Sequence, residues 1–160
     1  MPAAPIAAPT AAELTEETAR LVFPRFNEDT ALALGLMLVE LARSGNLPVV
    51  IDIRSTDRCY FHAALPGSAP LNDLWARRKS ATALMFQEAS LLVGIRHRDK
   101  GETLAKHGLS PEDYADHGGA VPIRVEGVGV VACVTVSGLP QVEDHRLAVR
   151  AITALLATSA

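Results

Sequence analysis

This 160-residue chain is short of the features that most directly announce a chemistry. Cysteine occurs twice, at Cys59 and Cys133. Two such residues, far apart and each inside an apolar run, build neither a disulfide framework nor a thiolate metal site, and both read as free, buried thiols. Charge of one sign is scarce as well. Fifteen basic against eighteen acidic residues leave a net charge of −3, and no basic run exceeds Arg77-Arg78-Lys79, so nucleic acid is excluded as a partner. No apolar stretch approaches the roughly 18 residues of a membrane helix, which excludes a membrane partner of that kind. The first ten residues have no basic region ahead of their apolar ones and are interrupted by proline. They read as a flexible tail, residues 1–10, on one cytoplasmic domain spanning 11–160. Internal repeats and linkers are lacking, and no His-x-x-x-His pair or cysteine pair supports a metal site. The spaced histidines His97, His107 and His117 are therefore set aside as ligands, since glycines and prolines between them break any common helix face.

What is present is a core-forming pattern, with 49% hydrophobic residues. Thr10 is placed to cap a helix reaching about Leu21, stopped by Pro24. Asn27 caps a second, Glu28 to about Ser44, closed by Gly45. It is apolar nearly all round, so it is expected between layers, with Gly35 allowing a close approach. Leu47–Arg54 and Arg58–Leu65 read as a hairpin around Ser55-Thr56-Asp57. A turn centred on Thr56 sets Ile51 opposite Phe61, Ile53 opposite Cys59, Asp52 opposite Tyr60 and Val50 opposite His62, with Asp52 and His62 as diagonal neighbours on the polar face.

Asn72 caps a helix to about Gln87, on which Trp75, Lys79, Thr82 and Phe86 form one stripe with a cation embedded in it. Helix-like segments follow over Glu88–Arg98 and Gly101–Lys106. The most informative stretch begins at His117: a double glycine, a strand Val121–Val125, a turn at Glu126-Gly127, and a strand Val128–Val136 apolar on both faces, as in the centre of a covered sheet. A helix from about Pro140 to Leu156 ends the chain, with Leu147, Ala148, Ala151, Ile152 and Leu155 facing inward. The backbone N–H groups at Gly118-Gly119 and at the Ser137-Gly138 helix entrance could both face a bound anion, although Glu143 and Asp144 argue against one at the last helix itself, because first-turn acids already complement the dipole there.

Ala76-Arg77-Arg78-Lys79-Ser80-Ala81-Thr82-Ala83, Gly118-Gly119 with Pro122 and Arg124, Gly127 and Gly129, and Val136-Ser137-Gly138 with Asp144 together resemble the haem-degrading-domain family of GlcG-like and HbpS-like proteins, over roughly residues 27–156. The resemblance implies an α+β, profilin-like α/β/α sandwich: a five-stranded antiparallel sheet with helices on both faces, assembled as a homo-oligomer. Four strands are read directly, and the fifth is sought in a split of the glycine-rich segment. Phe61-His62, Asp116-His117, Glu143-Asp144-His145 and the lack of an export signal depart from GlcG-like members and suit a cytosolic branch.

The leading function is binding of a small anionic molecule such as a carboxylate, a phosphate or a haem propionate. The expected cleft lies between the Arg-Arg-Lys helix, the Gly-Gly corner and the hairpin's polar face. Ligand-binding candidates are Lys79, Arg78, His62, His117, Gly118, Gly119 and His145. Two alternatives stand beside it. One is a haem-binding or haem-degradation-related enzyme, with a histidine as proton shuttle or axial ligand; no catalytic residue is assigned, and haem is the one cofactor considered. The other is a non-enzymatic assembly protein that binds a partner or itself.

Overall fold

The computed structural model describes residue 4 and residues 7–158. The expected tail falls partly on residues 1–3, 5 and 6, outside the described residues. Five helices are α1 (Ala11–Ala19), α2 (Glu28–Ser44), α3 (Pro70–Phe86), α4 (Ser90–Lys100) and α5 (Gln141–Thr158). Five strands are β1 (Val22–Phe23), β2 (Val50–Arg54), β3 (Cys59–Ala64), β4 (Ala120–Val125) and β5 (Gly129–Ser137), ordered β1-β4-β5-β2-β3 in one sheet. The α+β sandwich implied by the resemblance is thus the observed architecture. The fifth strand is not a piece of the glycine-rich segment, however. It is the two-residue β1, which pairs with β4 in parallel while the other three pairings are antiparallel.

The strand β5, apolar on both faces, sits at the centre for the reason its composition suggested. Ala132, Val134 and Val136 face α2 and α5 in the main core with Leu34, Leu38, Ile51, Ile53, Ala148 and Ile152. Cys133 packs on the opposite face with Ala83 of α3 and Ala120. A third cluster, with Leu14 of α1, Leu91, Leu92 and Ile95 of α4 and Val142 of α5, anchors the outer helices. Burial pushes the Cys133 thiol up to about 12, whereas Cys59, expected inside, is exposed because β3 is an edge strand.

The caps follow the sequence closely. Thr10 and Glu13 form a reciprocal box at α1, and Asn27 and Thr30 another at α2. Helix α3 begins two residues before the expected cap. Pro70 takes its first turn, and Asn72 instead reaches back, its Oδ1 accepting from the Ala69 N–H at 2.8 Å. Gly35 sits directly under the Phe61 ring, where no side chain fits, so the close approach expected of it is the contact between α2 and β3.

The hairpin register differs from the symmetric one. The Ser55 N–H donates to the Arg58 carbonyl at 2.8 Å and a bulge follows at Ile53/Arg54, so Asp52 lies directly opposite His62, Ile53 opposite Phe61 and Ile51 opposite Ala63. The slip is by two residues, which preserves the faces and changes only the neighbours.

Candidate functional site

One cleft, of about 360 Å³, opens between α3 and the start of α5, lined by Asn72, Trp75, Lys79, His117, Leu139 and Asp144 among others. Its floor is an ion pair. Lys79 points inward from α3 and is 4% exposed; its Nζ lies 3.0 Å from Asp144 Oδ2 and 3.4 Å from the Val136 carbonyl. Asp144, fully buried, also accepts from the Gly138 N–H at 3.3 Å and the Leu139 N–H at 2.9 Å. Burial pushes the Asp144 carboxyl up, opposed by the Lys79 ammonium and those two N–H groups.

This corrects the expected anion sites. The donors at the Ser137-Gly138 entrance are taken by the chain's own carboxylate, and the Gly118 N–H donates to Gln141 Oε1 at 3.0 Å. Gly119, at φ +142°, does belong to the cleft's construction. A Cβ there would press on the Lys79 side chain and the Val136 carbonyl, so glycine makes room for the lysine.

His117 stands at the rim with its ring edge-to-face on Trp75, centroids 5.1 Å apart. Burial lowers its pKa first, and the charges of Arg98, Lys79 and Arg78 add to that against the raising effect of Asp116, so the ring is neutral at pH 7. Arg78 also stacks on Trp75, with Cζ 4.5 Å from the ring centroid, and is not among the cleft-lining residues.

The remaining candidates lie elsewhere. His62 bridges two carboxylates, Nδ1 to Asp52 Oδ2 at 2.7 Å and Nε2 to Asp73 Oδ1 at 2.8 Å, tying β3 to the first turn of α3. Burial opposes its charge, but the hydrogen bonds to Asp52 and Asp73 outweigh it and raise the pKa. Asp52 is also gripped through two oxygens by Arg54, at 2.5 and 2.7 Å. The hairpin's polar face is therefore a closed ionic cluster on another flank of α3, apart from the cleft lining. His145, buried on α5, pairs through Nε2 with Glu17 of α1 at 2.6 Å and holds α1 in place.

The structure accordingly brings Lys79, His117 and Gly119 together, leaves Arg78 and Gly118 outside the lining with one contact each to it, on Trp75 and Gln141, and separates His62 and His145. Sequence reasoning missed Asn72, Leu139 and Gln141 as cleft residues. A cap signal was the one mark on Asn72, and Gln141 carries none.

The model of a family described as haem-degrading protein HbpS-like matches residues 26–153. The UPF0303 protein SCO2848 of Streptomyces coelicolor is 58% identical over 146 residues, covering 91% of this chain and 92% of its own length. Among solved structures, that of the Ybr137w protein is similar with a TM-score of 0.84 at 34% identity, over 91% of this chain and 87% of the other. A structure of a PduOC:Heme complex shares the fold, with a TM-score of 0.67 at 20% identity over 81% and 94% of the two chains. Among the described residues no helix is long and apolar enough to cross a membrane.

Proposed function

This chain belongs to the HbpS-like family of haem-degrading proteins, and from that premise we propose that it is a homo-oligomeric protein binding a small anionic molecule in the cleft between α3 and α5. The observation that carries the reading is the buried Lys79 ammonium on the cleft floor. It has three donors and uses two, on Asp144 and on the Val136 carbonyl, so one remains for a ligand oxygen. Trp75 and Leu139 offer an apolar wall beside it, and the neutral His117 offers either a donor or an acceptor at the rim. About 360 Å³ is at the low end of ligand pockets, about 300–1,000 Å³, which suits a short carboxylate or a phosphate ester held whole.

The test begins with native mass spectrometry of the purified protein for retained small acids, followed by calorimetry with short-chain carboxylates and inorganic phosphate. Lys79→Met, measured at a temperature where its circular dichroism matches the parent, should bind about 10- to 150-fold more weakly, the equivalent of a charge-assisted contact of about 1.5–3 kcal/mol. Equal affinities would overturn the reading. Light scattering at micromolar concentration should give a multiple of 17.0 kDa, and a lone 17.0 kDa species would remove the oligomer.

Haem is the second reading, favoured by the haem complex of the structural neighbour. In this cleft a propionate would meet Lys79 and the iron would meet His117, with much of the macrocycle outside. A haemin titration should then show a Soret shift that His117→Ala abolishes and that His62→Ala and His145→Ala leave unchanged. Absence of any shift removes haem.

A further inference from the structure

Away from the cleft, three successive segments within 20 residues, helix α4, the 3-10 turn after it and the loop at Asp116, place two imidazoles head to head. His97 projects from α4, and its Nδ1 lies 2.8 Å from Asp116 Oδ2. A carboxylate accepts there, so Nδ1 carries the proton and Nε2 presents a lone pair. Facing it at 3.1 Å is Nε2 of His107, from the 3-10 turn Leu104–His107. The Phe86 ring stands edge-on to both imidazoles, with centroids 6.1 and 5.1 Å away. A cavity of about 120 Å³ opens at the pair, with Glu102 on its wall. Of the other charges on that wall, Arg96 is matched by Glu88 and Glu102 by Lys106, while Lys100 stands without an ion pair among the described residues and is the one cation there that opposes an incoming metal.

We propose that His97 and His107 form a two-imidazole site for a divalent transition-metal ion, zinc or copper(II), with Asp116 as the carboxylate that orients His97. Two nitrogens each about 2.0–2.1 Å from a tetrahedral zinc stand about 3.3 Å apart, near the 3.1 Å seen here, and the two rings, now facing each other with centroids 5.3 Å apart, swing so that their lone pairs converge on the ion. His107 moves its proton from Nε2 to Nδ1, and one N–H···N hydrogen bond is exchanged for two metal bonds. The carboxylate on the far nitrogen of His97 is the outer-shell arrangement that fixes ring orientation and tautomer in metal sites. Among the described residues no group of three or more histidine, cysteine or acidic side chains converges as a ligand set. The remaining positions are therefore filled by water, which makes the site open and exchangeable. Its position also matters for the rest of the molecule, because Asp116 immediately precedes His117 at the cleft rim.

The experiment uses tag-free protein stripped with EDTA, equilibrated by dialysis against Zn²⁺ or Cu²⁺ and analysed for metal per chain. One ion per chain is expected. His107 is exposed, so His107→Ala tests the site without disturbing the core, and it should weaken binding at least tenfold. Asp116→Asn should weaken it by about 10- to 100-fold through loss of the orienting carboxylate. His62→Ala should leave it unchanged. In spectra of the parent, the His97 and His107 ring resonances should be the ones that move on adding Zn²⁺. Stoichiometry well below one, or an undiminished affinity in His107→Ala, overturns the site and leaves the pair as a structural hydrogen bond.

Discussion

Replacing Lys79 by methionine separates a cleft residue from a structural one. The substitution keeps the length and packing of the stem and deletes the ammonium. Asp144 would be left fully buried with only the Gly138 and Leu139 N–H groups as partners. Removing one member of a buried ion pair costs about 3–5 kcal/mol, chiefly because the other charge is stranded. For a chain of this size each kcal/mol moves the melting temperature by about 2–4 °C, so a fall of about 6–20 °C is expected. Lys79→Met is thus far from neutral for folding, whatever it does to a ligand. The companion variant is Lys79→Met with Asp144→Asn, where an uncharged amide oxygen still accepts from the helix entrance. That double variant should recover part of the loss, since the penalty lies in the stranded charge. Calorimetric melts of parent, single and double variants at pH 7 decide the matter. A single variant melting within about 2 °C of the parent, or a double variant no more stable than the single, would refute the reasoning.

Three further outcomes follow from other contacts. His62 has its pKa raised between Asp52 and Asp73, so its stabilising contribution is fully present below its unfolded value of about 6.5 and fades as pH rises through the folded value. Urea titrations from pH 6 upward should show a falling stability that His62→Ala flattens, and parallel slopes in the two proteins would exclude the clip. His117 is shifted the other way by burial and neighbouring cations, so its ring protons should titrate with a midpoint below about 6.5 in NMR; a midpoint above that value contradicts a desolvated rim position. Gly35→Ala would drive a methyl into the Phe61 ring and should cost about 1–3 kcal/mol in denaturant unfolding, with an unchanged midpoint showing that α2 and β3 are less closely apposed.

Local signals and short periodicities by themselves determined much of this protein. The caps at Thr10 and Asn27, the inward stripe of α5 and the two-faced apolar run of β5 are each decided by neighbours within a few residues, and each stands as read. The Lys79 stripe was legible for the same reason, since 3.6-residue spacing sets which side chains share a face. Partners across the fold were not legible. A shifted turn and a bulge together moved His62 from diagonal to directly opposite Asp52, and the two-residue β1 is too short to carry a pattern. Pairing of His97 with His107 and Asp116 was hidden because three separate backbone segments, not one helix face, bring those rings together. The donors expected to greet an external anion were claimed by Asp144, six residues from Gly138, once α5 folded back over the end of β5. Unpaired N–H groups at a helix entrance can be read from a sequence; which carboxylate reaches them is decided only by the packing that buries it.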